Sequence, residues 1–173
     1  MMLAVGLVLI ASLLAAASDL RTRRIPNALV AALFVCGLAV NALAGWQHVL
    51  VDVTVAFAIL LAGSLAFSLK MIGGGDVKLL AAAAGTLGYP SALNFVLYTL
   101  LCGGVIALVY SAMRGRLRAT ILNVRDIALP MLAGVRPERL QTGTAMPYAL
   151  AIFAGACFTA IASGFAPHLR LIW

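Results

Sequence analysis

The sequence predicts an all-α, polytopic membrane protein with about six transmembrane helices, the fourth short and preceded by a glycine-rich loop. Three observations carry this. The chain of 173 residues is 64% hydrophobic and 10% charged, with a mean hydropathy of +1.11; soluble domains run near half apolar and a quarter charged. Its apolar residues fall into six runs separated by proline, glycine or charge. Its basic residues collect in alternate connections between those runs. The length suits a single integral-membrane domain over residues 1–173, with no room for a sizeable soluble domain.

The first run, about Met2–Ser18, ends in Ala15-Ala16-Ala17, which resembles a signal-peptide cleavage site. No basic region precedes it and further spans follow, so an uncleaved first helix is expected. The second runs from about Asn27 to Ala44 after Pro26, a residue suited to a first helical turn. The third is about Val51–Leu69 and the fourth, Val77–Leu87, is short; Ala81–Ala84 allow close helix packing there. The fifth, Ser91–Met113, is set off by Tyr89-Pro90, and the sixth covers about Thr144–Phe165. Between the last two, Leu117, Ile121, Val124 and Ala128 recur at helical spacing. Segment 114–140 therefore reads as an interfacial amphipathic helix or as a plain basic connector.

Charge orients these runs. The connections around 19–26, 70–78 and 114–140 hold eleven of the twelve basic residues, and only Arg170 falls on the other side. That asymmetry makes them cytoplasmic. It also explains the net charge of +7 without nucleic acid, and makes anionic lipid headgroups the partners of the charge. Five acidic residues occur in the chain, and two of them, Asp19 and Asp76, reach the same cytoplasmic boundary.

Two carboxylates at one depth can hydrolyse a peptide bond. One, ionised, takes a proton from water; the other, protonated, donates to the substrate, and close like charges make the pair share one proton. Asp19 follows the C-terminal end of the first apolar helix and Asp76 precedes the fourth, so the helix dipoles favour Asp19 as the acid and Asp76 as the base. Gly73, Gly74 and Gly75 permit unusual backbone angles and close approach of an extended peptide. Lys78 is expected to anchor to headgroups. Blander readings exist: Asp76 as a helix N-cap, and Asp19 as an interfacial residue paired with Arg23 or Arg24.

Other chemistries find little support. Asp52 falls at the outer boundary, away from the pair; Asp126 and Glu138 balance arginines in the basic segment. His48 and His168 lie apart, and no C-x-x-C or H-E-x-x-H occurs, so no metal or other cofactor is expected. Cys36, Cys102 and Cys157 read as small packing residues. No histidine lies at the depth of the serines, which disfavours a membrane serine dyad.

Asp19 with Ile25-Pro26-Asn27, and Gly73-Gly74-Gly75-Asp76-Val77-Lys78, resemble the two signature motifs of bacterial type IV prepilin peptidases, intramembrane aspartyl proteases of the GxGD class. Met146-Pro147-Tyr148-Ala149 resembles the proline–aromatic stretch that opens their last helix. The resemblance implies an inner-membrane endopeptidase with Asp19 and Asp76 as catalytic residues, and Ile25, Pro26, Asn27, Gly73, Gly74, Gly75 and Lys78 as substrate-binding or loop-shaping. Its substrate would be a prepilin with a short basic leader, a glycine at the cleavage site and a hydrophobic helix carrying an early glutamate, which one of Arg21, Arg23, Arg24 or Lys78 would meet. Larger relatives carry a cytoplasmic insertion with paired C-x-x-C motifs and also methylate the new N-terminus. The short connection after the first helix lacks these, so the chain is similar to the peptidase-only branch of tight-adherence (Flp) pili, without methyltransferase activity. Oligomer formation and pilus-assembly partners stay open. Two other readings are a small transporter or channel with proton- or cation-binding aspartates, and a non-catalytic assembly subunit.

Overall fold

The chain is described by a computed structural model, whose described residues are 2–68, 72–113, 115 and 148–165. They contain six α-helices and no strand: α1 (Met2–Thr22), α2 (Asn27–Ala42), α3 (Trp46–Ser68), α4 (Gly74–Leu87), α5 (Ser91–Met113) and α6 (Ala149–Phe165). α1, α3 and α5, of 21, 23 and 23 residues, are long and apolar enough to cross a membrane; α2 and α6 are shorter apolar helices. The protein is a helical membrane protein. The expected amphipathic segment 114–140, apart from Gly115, and Asp126, Glu138, His168 and Arg170 lie outside the described residues, as do Met146 and Pro147.

The chain forms two compact bodies, Met1–Gly103 with Pro147–Trp173, and Gly104–Met146. α5 starts in the first and ends in the second, where Gly115 takes a left-handed conformation at φ 65°. Everything below concerns the first body.

Its centre is α4. Fourteen residues span about 21 Å, short of the roughly 30 Å of a bilayer's hydrocarbon core. Val77 and the unbroken run Leu79–Leu87 are buried, and a helix apolar all round belongs in an interior. α1, α2 and α3 pack along it. Small residues set how closely they do so. A Cβ on Gly63 of α3 would lie 2.6 Å from Val77, and one on Gly85 would lie 2.8 Å from Ala56 of α3. α1 turns a stripe of Ala4, Val8, Ala11, Ser12, Ala15 and Ala16 inward, a helical repeat of one buried face. α6 packs on α1, and Tyr98 of α5 meets Phe158 of α6 with ring centroids 6.2 Å apart.

Three boundaries that bear on the acids differ from the sequence expectation. α3 begins at Trp46 rather than Val51, so Asp52 lies inside it rather than at its edge. α1 continues to Thr22, so Asp19 lies inside its last turn rather than beyond it. α4 begins at Gly74, so Asp76 is in its first turn and Gly74 and Gly75 are helical. Charge and glycine, which break an apolar run, do not break a helix. Pro26 is the N-cap of α2, just outside the helix. Cys36 is exposed on α2, contrary to its expected packing role, while Cys102 and Cys157 are half-buried.

Candidate active site

The turn between α1 and α2 is tied down by its own hydroxyls. Arg23 closes α1 in the left-handed region at φ 53°, its N–H donating to the Asp19 carbonyl at 2.8 Å. Glycine is the usual occupant of such a position. The hydroxyls of Ser18 and Thr22 donate to the Arg24 carbonyl at 2.9 and 3.3 Å. These bonds hold the reversal that brings Ile25 and Asn27 back beside Asp19.

The entry to α4 is built differently. Gly73 is the N-cap and supplies no side-chain cap, so Asp76 is not the N-cap residue but the third residue of the helix, from which its carboxylate can meet the N-cap amide. Asp76 turns back over Gly73, where an added Cβ would lie 2.7 Å from its Oδ2. The Gly73 backbone amide faces the carboxylate. Gly75 packs on Ile25, its Cβ position 3.4 Å from the Ile25 Cβ, and joins the two motifs directly.

The two motifs form one pocket of about 360 Å³, lined by Asp19, Arg23, Arg24, Ile25, Asn27, Gly73, Gly74, Gly75, Asp76 and Lys78. Of the residues assigned to the site in the sequence, Pro26 does not line it, and neither does Arg21, one of the four cations expected to meet the substrate glutamate. Lys78 is exposed and turns into this pocket. Asp52 is absent from it and sits beside Gly88, at the far end of α4.

The carboxylates are not equivalent. Asp76 Oδ1 is buried without a hydrogen-bond partner among the described residues. Burial, and after it the charge of Asp19, push the Asp76 carboxyl from 3.8 up to about 6, against the opposing effect of the Gly73 amide. Both causes penalise the anion. Asp19, in the last turn of α1, faces the backbone of Ala149, the first residue of α6, and lies near Arg23. Both acids keep the helix-end positions from which the expected proton order was drawn, Asp19 in the last turn of α1 and Asp76 in the first turn of α4; the burial of Asp76 acts against that order.

Two participants escaped the sequence reading. Ala149 meets Asp19 through its backbone, a contact that no side-chain pattern encodes. Tyr148 is half-buried with its ring against Gly103, whose Cβ would lie 3.1 Å from the Tyr148 Cε2. Burial and the charge of Asp76 raise its phenol above the usual range. The proline–aromatic stretch was the available signal for both. Among the described residues, no group of three His, Cys, Asp or Glu side chains could hold a metal ion.

Two carboxylates from different helices thus line one pocket of about 360 Å³ at one end of α4, in a helical membrane protein. Its lineage is specific: residues 6–108 match the type IV leader peptidase family, and the chain belongs to that family. The match spans both aspartates and stops before Tyr148. No curated protein and no solved structure matches the chain.

Proposed function

We propose that the protein is an aspartyl endopeptidase that removes the leader peptides of type IV, Flp-like prepilins at the cytoplasmic face of a bacterial inner membrane. The observation that carries this reading is the meeting of Asp19 and Asp76 in one pocket, in a chain of the leader peptidase family. In the mechanism, a water molecule sits between the carboxyl groups. Asp19, ionised beside Arg23 and the start of α6, accepts a proton as the water oxygen attacks the scissile carbonyl carbon. Asp76, protonated, gives its proton to the carbonyl oxygen. Collapse of the tetrahedral intermediate breaks the C–N bond: the leaving amine takes the proton held by Asp19, and one hydroxyl of the intermediate returns its proton to Asp76 as the product carboxyl forms.

The basic connections support a cytoplasmic site. A short basic leader could then stay in that compartment while the hydrophobic pilin helix lies in the bilayer. Arg23, Arg24 and Lys78 on the pocket rim offer positive charge to the substrate glutamate, a pairing that a charge swap between enzyme and prepilin would restore. The short connection between α1 and α2 has no C-x-x-C pair, and peptidase activity without N-methylation is the expected outcome. Transporters bind their ions near the midplane between repeated halves; this pocket lies at one end of α4 and no repeat is visible, which favours the peptidase reading.

Co-expression with candidate prepilins from the same genome tests the proposal. Leader removal should occur with the wild-type chain and fail with Asp19→Asn and with Asp76→Asn. Full processing by either variant would overturn the mechanism.

A further inference from the structure

The third carboxylate of this body, Asp52, is 3% exposed and takes no part in the proposed chemistry. The Asn41 side-chain amide near the end of α2 donates to Asp52 Oδ2 of α3 at 2.7 Å and to the Thr86 carbonyl of α4 at 3.0 Å. An NH₂ group has two hydrogens, so both are used. The opposite amide orientation would set an oxygen against two acceptors, which fixes how Asn41 points. Thr86 in turn donates to the Ala82 carbonyl at 2.8 Å, and a Cβ on Gly37 of α2 would collide with its side chain. On the other side, a Cβ on Gly88 would lie 2.7 Å from Asp52 Oδ1. Three helices thus meet in a sealed polar clasp at the end of α4 opposite the pocket.

The middle of α4 is lined by the small residues Ala81–Ala84, and its closest approaches to neighbours lie towards its two ends, Val77 against Gly63 at one and Gly85 and Thr86 against Ala56 and Gly37 at the other. The directional hydrogen bond to the Thr86 carbonyl would change with any slide along the axis. Ten residues of continuous helix separate Thr86 from Asp76, about 15 Å of stiff rod, so a displacement at one end reappears at the other.

We infer that Asn41 and Asp52 are positioning residues that fix the axial register of α4 and thereby hold Asp76 against Asp19. Asp52 acts as a hydrogen-bond acceptor, a role that its amide isostere also fills. The inference rests on the peptidase reading for its kinetic consequence, but its geometric content stands apart from it.

Two measurements on the full-length chain test it. Asn41→Ala and Asp52→Ala should lower kcat for leader cleavage roughly 10- to 100-fold with KM within about twofold, since small misplacement of a reacting group is that costly. Asp52→Asn should stay within about threefold of wild type, because its carbonyl still accepts from Asn41. Separately, the labelling rate of Asp76→Cys by a water-soluble maleimide should change at least about threefold when Asn41→Ala is added, as the pocket end of α4 moves in its shielded site. If Asn41→Ala does not accumulate, Asn41→Ser is judged by the same two readings. Wild-type kcat per folded molecule together with an unchanged labelling rate would overturn the inference, as would an Asp52→Asn variant as impaired as Asp52→Ala. A wild-type chain that cleaves no prepilin, with labelling that still responds to Asn41, would remove the peptidase reading and leave the clasp standing.

Discussion

The two ends of α4 are made from the same parts. Each sets a carboxylate against a glycine, with a Cβ at Gly73 falling 2.7 Å from Asp76 Oδ2 and one at Gly88 falling 2.7 Å from Asp52 Oδ1. At the Gly88 end the carboxylate is sealed, 3% exposed, and bonded to an amide that also holds the helix carbonyl. At the Gly73 end it opens on a pocket, one oxygen is buried without a partner among the described residues, and a second acid stands nearby. On the proposed reading, burial alone therefore does not mark the reactive acid. The mark is a polar group left unsatisfied beside a like charge, where water or a substrate can still reach.

The sharpest way to break this contrast is to neutralise each acid in turn. Asp19→Asn and Asp76→Asn should each reduce cleavage by roughly 10²–10⁴-fold, the range that general acid–base groups contribute, while Asp52→Asn stays near wild type. Leader removal followed by gel shift or mass spectrometry reads all three. A sensitive Asp52 beside a tolerant Asp76 would invert the assignment of the two ends.

The glycines give the next largest difference. Gly73→Ala places a methyl where Asp76 Oδ2 now lies. The carboxylate can swing away at little cost to folding, but not without leaving its position, so kcat should fall roughly 10- to 100-fold with thermal stability nearly unchanged. Gly75→Ala meets Ile25 only at an ordinary 3.4 Å and should retain most activity. Gly88→Ala reverses the pattern: its φ of 65° and its approach to Asp52 predict a loss of about 1 kcal/mol or more in stability, with kcat per folded molecule affected only as far as α4 shifts.

Much of this was legible in the sequence for a physical reason. Hydropathy and glycine or proline punctuation locate the helices because a bilayer demands long apolar runs, and Asp19 and Asp76 stand out because acids are costly there. The helix ends were misplaced for the same reason. Asp19 and Gly74–Asp76 interrupt an apolar run without interrupting backbone hydrogen bonds, so each acid sits just inside its helix end rather than just beyond it. Asp52 was assigned to the boundary of a helix starting near Val51, whereas α3 starts at Trp46 and holds Asp52 within it; its bond to Asn41 needed three helices packed together. Tyr148 and the Ala149 backbone approach the acids from α6, across more than seventy residues of chain, and no local spacing announces such a contact.

Proton affinity offers a subtler separation of the ends. Asp76 holds its proton up to about 6 partly because of the Asp19 charge. In Asp19→Asn that repulsion is gone, so Asp76 should ionise at lower pH, which infrared difference spectra of its carboxyl band would follow. Linkage gives the stability counterpart. The folded protein holds the Asp76 proton more tightly than the unfolded chain, so stability should fall as pH rises from 3.8 towards about 6 and level off above it. Asp76→Asn should remove this part of the slope, and Asp52→Asn should leave it in place.

The smallest effect concerns the turn that carries Asp19. Arg23 occupies a backbone region that costs a residue with a side chain roughly 1 kcal/mol relative to glycine, at φ 53°, while its charge acts on Asp19. If the position were kept only for its backbone shape, glycine would serve it better. Arg23→Gly should accordingly raise thermal stability slightly and lower cleavage severalfold. Arg23→Asn, which tolerates the same backbone region, should lower cleavage to a similar extent, and Arg23→Lys should recover most of it. Equal activity in all three would mean that the charge of Arg23 contributes nothing to cleavage.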